Sequence, residues 1–381
     1  IAAIDDDLVL QGLGGDVNSS PFPNIWYYDE TVISTNFLDG WIVPGAITDN
    51  MITMKGYALN MYDDFKLDFT GTLNTGPYSI PVTSTSSGNV YADGWNFVGN
   101  PYPCAIDWDE VTLPSDIDNA AYFWDESIVQ YASYINGVGT NGGTKNISSS
   151  QGFYIHATAN STFSLTNSVR SGSIDNGAFW RPGGNLDFPE TIKLKLTGQG
   201  YQDEIAVRFS GQSTVYFDAE YDAYKLLSGD PNVPMFYTMV NGDKLSINSL
   251  DSLTGTRYEQ LYVSAQLSGA YDIVMSLKGG FTSQYTIELE DTKTGTFHNV
   301  VTDGVYSFVY DAADGDNRFV LHFNYLPLSV NYSINTNNIN IYSYQNKIIV
   351  SGLKDGNANV IVYDLVGREV AAAVLYSDES K

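Results

Sequence analysis

Pairs of carboxylates are the residues in this chain best suited to chemistry. Asp5-Asp6-Asp7, Asp63-Asp64, Asp107 with Asp109, and Asp314 with Asp316 each set acids within two residues of one another. A glycosidase needs two carboxylates facing a sugar across a cleft, and closeness in sequence alone does not supply that. A hard cation is the better match, because calcium takes carboxylate and turn-carbonyl oxygens. Asp107 and Asp109 flank Trp108, so on a strand they share one face, where they suit either a cation or the cap of the next loop. The run Asp311-Ala312-Ala313-Asp314-Gly315-Asp316-Asn317 hints at a calcium loop. It lacks the spacing and the bidentate Glu of an EF-hand, so a tight polar turn is the plainer reading. Asp107, Asp109, Asp314 and Asp316 are therefore the metal candidates, and calcium is the one cofactor considered.

Other reactive groups are sparse. His156, His298 and His322 have no spacing that suggests a metal triad, and each reads as structural or exposed. Cys104 is the only cysteine, which excludes an intrachain disulfide, a zinc ribbon and an iron–sulfur cluster. It follows Pro103 and reads as a small packing residue. No Gly-x-Ser-x-Gly, His-Glu-x-x-His or phosphate loop occurs, so the chain reads as no enzyme. Aromatic rings are the remaining resource: Trp26-Tyr27-Tyr28, Trp95, Trp108, Trp124 and Trp180. Most belong in a core, but rings also make sugar-stacking platforms, and Trp26, Tyr27 and Trp124 are the ligand-binding candidates.

The elements that must position these groups are strands. Of 381 residues 14% are aromatic and only 16% charged, which favours ordered β structure over disorder. Ile192, Leu194 and Leu196 alternate with Thr191, Lys193 and Lys195. Tyr285, Ile287 and Leu289 alternate with Thr286, Glu288 and Glu290. Phe319, Leu321 and Phe323 alternate with Val320 and His322. Period two places each apolar set on one face of a half-buried antiparallel strand. Asp39-Gly40, Asp93-Gly94, Asn136-Gly137, Asn241-Gly242 and Asp303-Gly304 punctuate the runs with steps that tolerate positive φ. The stretch Gly94 to Asp109, with two Gly, two Pro, two Trp and two Asn, reads as a buried strand entering a rigid turn.

The expected fold is all-β, with tandem antiparallel β-sandwich domains of jelly-roll or Ig-like kind. Arg181-Pro182-Gly183-Gly184-Asn185 reads as the linker between a first sandwich, 1–184, and a second, 185–330. After the polar stretch Asn331 to Asn338 a small third unit, 331–381, begins. Acidic residues number 44 against 18 Lys and Arg, a net charge of -26. Such a surface repels nucleic acid and anionic lipid, and no window approaches the ~20 apolar residues of a membrane helix. A chain beginning at Ile1 reads as a processed product or a fragment.

The third unit carries Asn340-Ile341-Tyr342-Ser343, then Ile348-Ile349-Val350, then Val362-Tyr363-Asp364-Leu365-Val366-Gly367-Arg368-Glu369-Val370. These residues resemble the start of the type A C-terminal sorting domain of the Bacteroidota type IX secretion system. Such domains continue with a further Gly turn, an apolar strand and a basic final strand, and these are absent before Lys381. The unit is then a partial small β-sandwich, not competent for secretion as written. Ser19-Ser20-Pro21, Lys55-Gly56-Tyr57, the Gly94–Asp109 run, Gln151-Gly152-Phe153-Tyr154, Asp222-Ala223-Tyr224-Lys225-Leu226 and Asn317-Arg318-Phe319 look like the non-catalytic sandwiches that precede such domains. Asp251-Ser252-Leu253 resembles the short O-glycosylation acceptor of the same bacteria, making Ser252 a glycosylation candidate. The sequons at Asn18, Asn146, Asn160 and Asn331 are inert in that setting.

The resemblance implies a secreted or cell-surface protein on the outer face of the outer membrane. Its partners would be the type IX translocon and outer-membrane shuttle proteins. The first expectation is a non-enzymatic adhesin or filament subunit that self-associates through sheet edges. A second is the polysaccharide-binding accessory region of a larger hydrolase. A third is cargo engaged by the translocon.

Overall fold

Strands account for nearly all regular structure in the computed structural model, which describes residues 23–32, 37–60, 71–85, 91–172, 190–278, 281, 285–326, 340–344, 347–351, 357–364 and 367–376. Among the described residues there is no α-helix, only short 3-10 turns. Asp5–Asp7, Asp63-Asp64, Asn18, Ser19–Pro21, Trp180, Arg181–Asn185 and the Asn331–Asn338 stretch lie outside the described residues. The all-β expectation holds, and among the described residues the sheets are antiparallel apart from one parallel pair, Tyr201–Phe209 with Asp243–Leu250.

Residues 23–172 are built round a five-stranded sheet in the order Trp95–Gly99, Gly152–His156, Ala121–Asp125, Gln130–Ile135, Val138–Thr140. Alternation sends its side chains to two interiors. Val98, Phe153, Ile155, Ala121, Phe123, Ala132 and Tyr134 join Trp108, Phe163, Leu165 and Val82 in one core, covered by the pair Tyr78–Val82 and Ser161–Leu165. Trp95, Tyr154, Tyr122, Tyr131 and Ile135 point the other way. They meet Tyr28 and then Ala206, Ala223, Tyr224, Leu226, Leu245 and Ile247. Hence this sheet is covered on both faces, and Gln130–Ile135 is buried at all its positions.

Residues 190–325 form one 11-stranded sheet. Its main path begins with Thr296–Asn299 and Tyr285–Asp291, passes through the parallel pair, and ends with Gly269–Lys278 and Val305–Tyr310. The first and last strands of that path are consecutive in the chain. The His298 and Tyr306 rings lie 4.1 Å apart across that corner, and those of Phe308 and Phe319 4.8 Å. So the sheet curls on itself about Ile192, Leu194, Leu196, Ile205, Val207, Phe236, Leu289, Phe319, Leu321 and Phe323. Rings of this size bury roughly 150–250 Å² each and dominate such interiors.

Contacts group residues 1–325 as one unit and 326–381 as another. In the second unit, Asn340–Tyr344 pairs with Lys347–Ser351, and Asn357–Tyr363 with Glu369–Tyr376. The turn of the latter hairpin closes on Asp364, which accepts from Gly367 N at 3.0 Å and from Arg368 Nε at 3.1 Å.

Two of the Asn-Gly steps are hairpin turns with both residues left-handed. Asn136 and Gly137 have φ of 42° and 80°, and Asn241 and Gly242 of 53° and 100°. That geometry matches the twist of the flanking strands.

Candidate functional site

The Asn136-Gly137 turn brings the five-stranded sheet against the end of Tyr201–Phe209, and a cleft of about 390 Å³ opens there. Asp109, Asn136, Gly137, Arg208, Phe209, Ser210, Gln212 and Tyr221 line it. The volume lies in the range of small-ligand sites, roughly 300–1,000 Å³. Arg208 forms its floor, buried, with Nε donating to Ser249 Oγ at 3.0 Å, Nη1 to Asn136 O at 2.8 Å and Nη2 to Tyr221 O at 3.1 Å. Burial lowers its pKa, and the neighbouring Asp222 partly restores it. Asp222 itself is pushed up from 3.8 to about 7 by burial, against hydrogen bonds from the Ser249 and Asp218 backbones. The Tyr221 hydroxyl donates to Gln212 Oε1 at 3.1 Å. One carboxylate, one guanidinium, amides and two rings are a donor and acceptor set for orienting a polar ligand.

Asp107 and Asp109 do converge, though not by sharing a strand face. The strand Ile106–Asp107 stops, and Asp107 caps a 3-10 turn, Trp108–Glu110, by accepting from Asp109 N. The backbone turns because Trp108 must enter the core, where it is 1% exposed and donates Nε1 to Asn119 O at 2.8 Å. Lys145 then bridges both acids, Nζ lying 2.7 Å from Asp107 and 3.7 Å from Asp109. Its pKa is raised, chiefly by the Asp107 hydrogen bond. Asp109 also receives the Tyr134 hydroxyl at 3.0 Å.

Asp314 and Asp316 sit in a tight turn and point to different partners. Asp314 takes Lys293 Nζ at 2.6 Å and Arg318 Nη1 at 3.4 Å. Asp316 takes the Tyr237 hydroxyl at 2.5 Å. Among the described residues no three His, Cys, Asp or Glu side chains gather as a metal set.

The ring candidates separate. Tyr27 carries Lys55 Nζ 3.6 Å above its face, and Trp26 beside it is half-buried. Trp124 is 42% exposed, stands 5.0 Å from Tyr131, and donates to Glu126 at 3.1 Å. From Tyr131 the contacts run inward through Tyr154 to Tyr28, so Trp124 caps an internal ring stack. Ser252 is exposed.

Sequence reasoning missed three interior contacts between an acid and a basic side chain. His156 Nδ1 lies 2.6 Å from Asp118 Oδ2, under the rings of Trp95 and Tyr224. Arg318 grips Asp291 at two points, 2.9 and 2.6 Å. Lys225 binds Asp203 with both side chains buried. A usable signal existed for the last, since Lys225 interrupts the apolar run Ala223-Tyr224-Lys225-Leu226.

Neither the curated proteins nor the solved structures contain a match to this chain. One family model does match, over residues 15–323, the span that holds both the five-stranded sheet and all but the end of the curled one. On that match the chain belongs to the family described as Domain of unknown function (DUF8693).

Proposed function

We propose that the chain is a non-enzymatic surface or extracellular structural protein, an adhesin or filament subunit exported by type IX secretion. The observation that carries the reading is the use the fold makes of its interior acids and bases. Asp203 with Lys225 and Asp291 with Arg318 have both carboxylate oxygens taken by internal partners and fasten strand to strand, and Asp118 is tied through one oxygen to His156. Groups committed in this way give rigidity rather than turnover. Self-association with a second copy has support at the sheet margin, where Val305 and Val309 are 49% and 69% exposed and Val274 lies opposite Val305. An apolar marginal strand is a template for another chain.

Fractionation of source cells tests the location: the protein belongs on the outer surface or in the medium, and retention in the periplasm would refute it. Light scattering tests the assembly, which should grow with concentration; monomer at every concentration and calcium level counts against it. Intact mass tests Ser252, where a hexose-sized addition is expected. A second reading, a polysaccharide-binding region of a larger hydrolase, draws on the polar cleft at Asp109, Arg208 and Tyr221.

A further inference from the structure

The outer face of the curled sheet holds rings where solvent-facing positions are ordinarily polar. Strand register sets one row as Tyr258, His322, Glu288 and Asn299, and the next as Gln260, Val320, Glu290 and Phe297. Tyr258 is 60% exposed and Phe297 53%. The His322 imidazole stands between them, its centroid 4.9 Å from Tyr258 and 5.2 Å from Phe297. Its Nε2 is held 2.7 Å from Glu290 Oε2, and Asn324 Nδ2 donates to Glu288 Oε2 at 2.9 Å. The rings and the carboxylates between them are thus fixed from two sides on a rigid sheet.

We propose that this face binds a neutral polysaccharide, with Tyr258 and Phe297 as the stacking rings and Glu288 and Glu290 as hydroxyl acceptors. Aromatic faces carry negative charge density, and the C–H faces of a pyranose are their complement. Sugar hydroxyls donate to carboxylates, and charge-assisted bonds of that kind are the stronger ones. Two glutamates on a chain of net charge -26 repel uronates and sulfated polymers, which excludes anionic glycans as the ligand. A protein partner fits less well, because carboxylates are depleted in the buried centre of protein interfaces and Glu290 would lie in that centre. The proposal rests on the surface reading above, which gives the chain access to glycans.

The test is native affinity electrophoresis of the whole chain in gels containing β-glucan, galactomannan, xylan or polygalacturonate. Retardation by at least one neutral polymer is expected, with none by polygalacturonate. Tyr258→Ala and Phe297→Ala should each weaken it at least tenfold with unchanged melting, whereas Trp124→Ala should leave it intact. No retardation by any neutral polymer overturns the proposal, as does retardation that survives both ring substitutions. The two readings fail separately: absence of retardation removes the glycan site, while reducing ends released from the polymer would refute the non-enzymatic reading.

Discussion

Lys225 donates its ammonium to Asp203, and neither side chain reaches water. The same carboxylate accepts from Asn141 Nδ2 at 2.9 Å, from Glu204 N at 2.9 Å and from Phe236 N at 2.7 Å. Asn141 follows the edge strand Val138–Thr140 of the five-stranded sheet, while Asp203 lies on the curled sheet. One acid therefore ties together two sheets and a buried cation.

Removing one member of a buried pair strands the other, at about 3–5 kcal/mol. Lys225→Met should lower stability by that amount, and Asp203→Ala by more, because three further donors lose their acceptor. Urea denaturation measures both. A loss under about 1 kcal/mol for either would show that the pair does not hold the sheets together.

Asp222 sets a pH dependence. Burial raises its folded pKa to about 7, from 3.8. Between those values the folded chain carries more protons than the unfolded one, so stability falls as pH rises through that window and levels off above it. Asp222→Asn removes the titration and should flatten the profile between about pH 4 and pH 7 by a few kcal/mol. Its amide facing the Asp218 N–H adds a constant cost, which does not alter the slope. Parallel profiles for the two proteins would contradict the assignment.

Lys145 fills the space a cation would take between Asp107 and Asp109. Lys145→Met should cost at most about 1 kcal/mol, because the pair is partly solvated. It should also strengthen terbium or calcium binding at the two acids. Trp108 lies between them in sequence and serves as the antenna for terbium luminescence. Equal luminescence titrations for the two proteins would mean the acids are not gated by the lysine.

Gly94 has φ +76°, and a Cβ there would fall 2.0 Å from Ala157 O. Ala157 N also donates to Gly94 O at 2.8 Å, so the two segments cannot part without losing that bond. Gly94→Ala should destabilise by more than the ~1 kcal/mol of an ordinary αL glycine. A melting temperature equal to wild type would show that the segment can shift.

Local patterns in the sequence carried local structure. Ile192, Leu194, Leu196, Phe319, Leu321 and Phe323 are all buried as their alternation requires, and Asn136-Gly137 turns because two left-handed residues are needed there. The rigid turn after Trp95 is also real. Asn100 Nδ2 reaches the carbonyls of Cys104, Ile147 and Ser148, and its Oδ1 takes Tyr102 N. What the sequence hid depends on long-range register. Tyr258, His322 and Phe297 become neighbours only once four strands, drawn from residues 257–325, are paired. Lys145 meets Asp107 only through the pairing of Asn146–Ile147 with Ile106–Asp107. The strand continuing through Trp108 failed for a related reason, since the indole needed an interior that no neighbouring residue announces.

The doubly covered five-stranded sheet has a bearing on inheritance and on cloning. Tyr122 and Trp95 on its inner side need Ala206, Leu245 and Ile247 as their roof, so a gene fragment cut anywhere between 173 and 189 would leave two raw apolar walls instead of two modules. Shuffling, truncation and domain transplantation should therefore respect the whole block, and a boundary drawn inside it should yield insoluble halves.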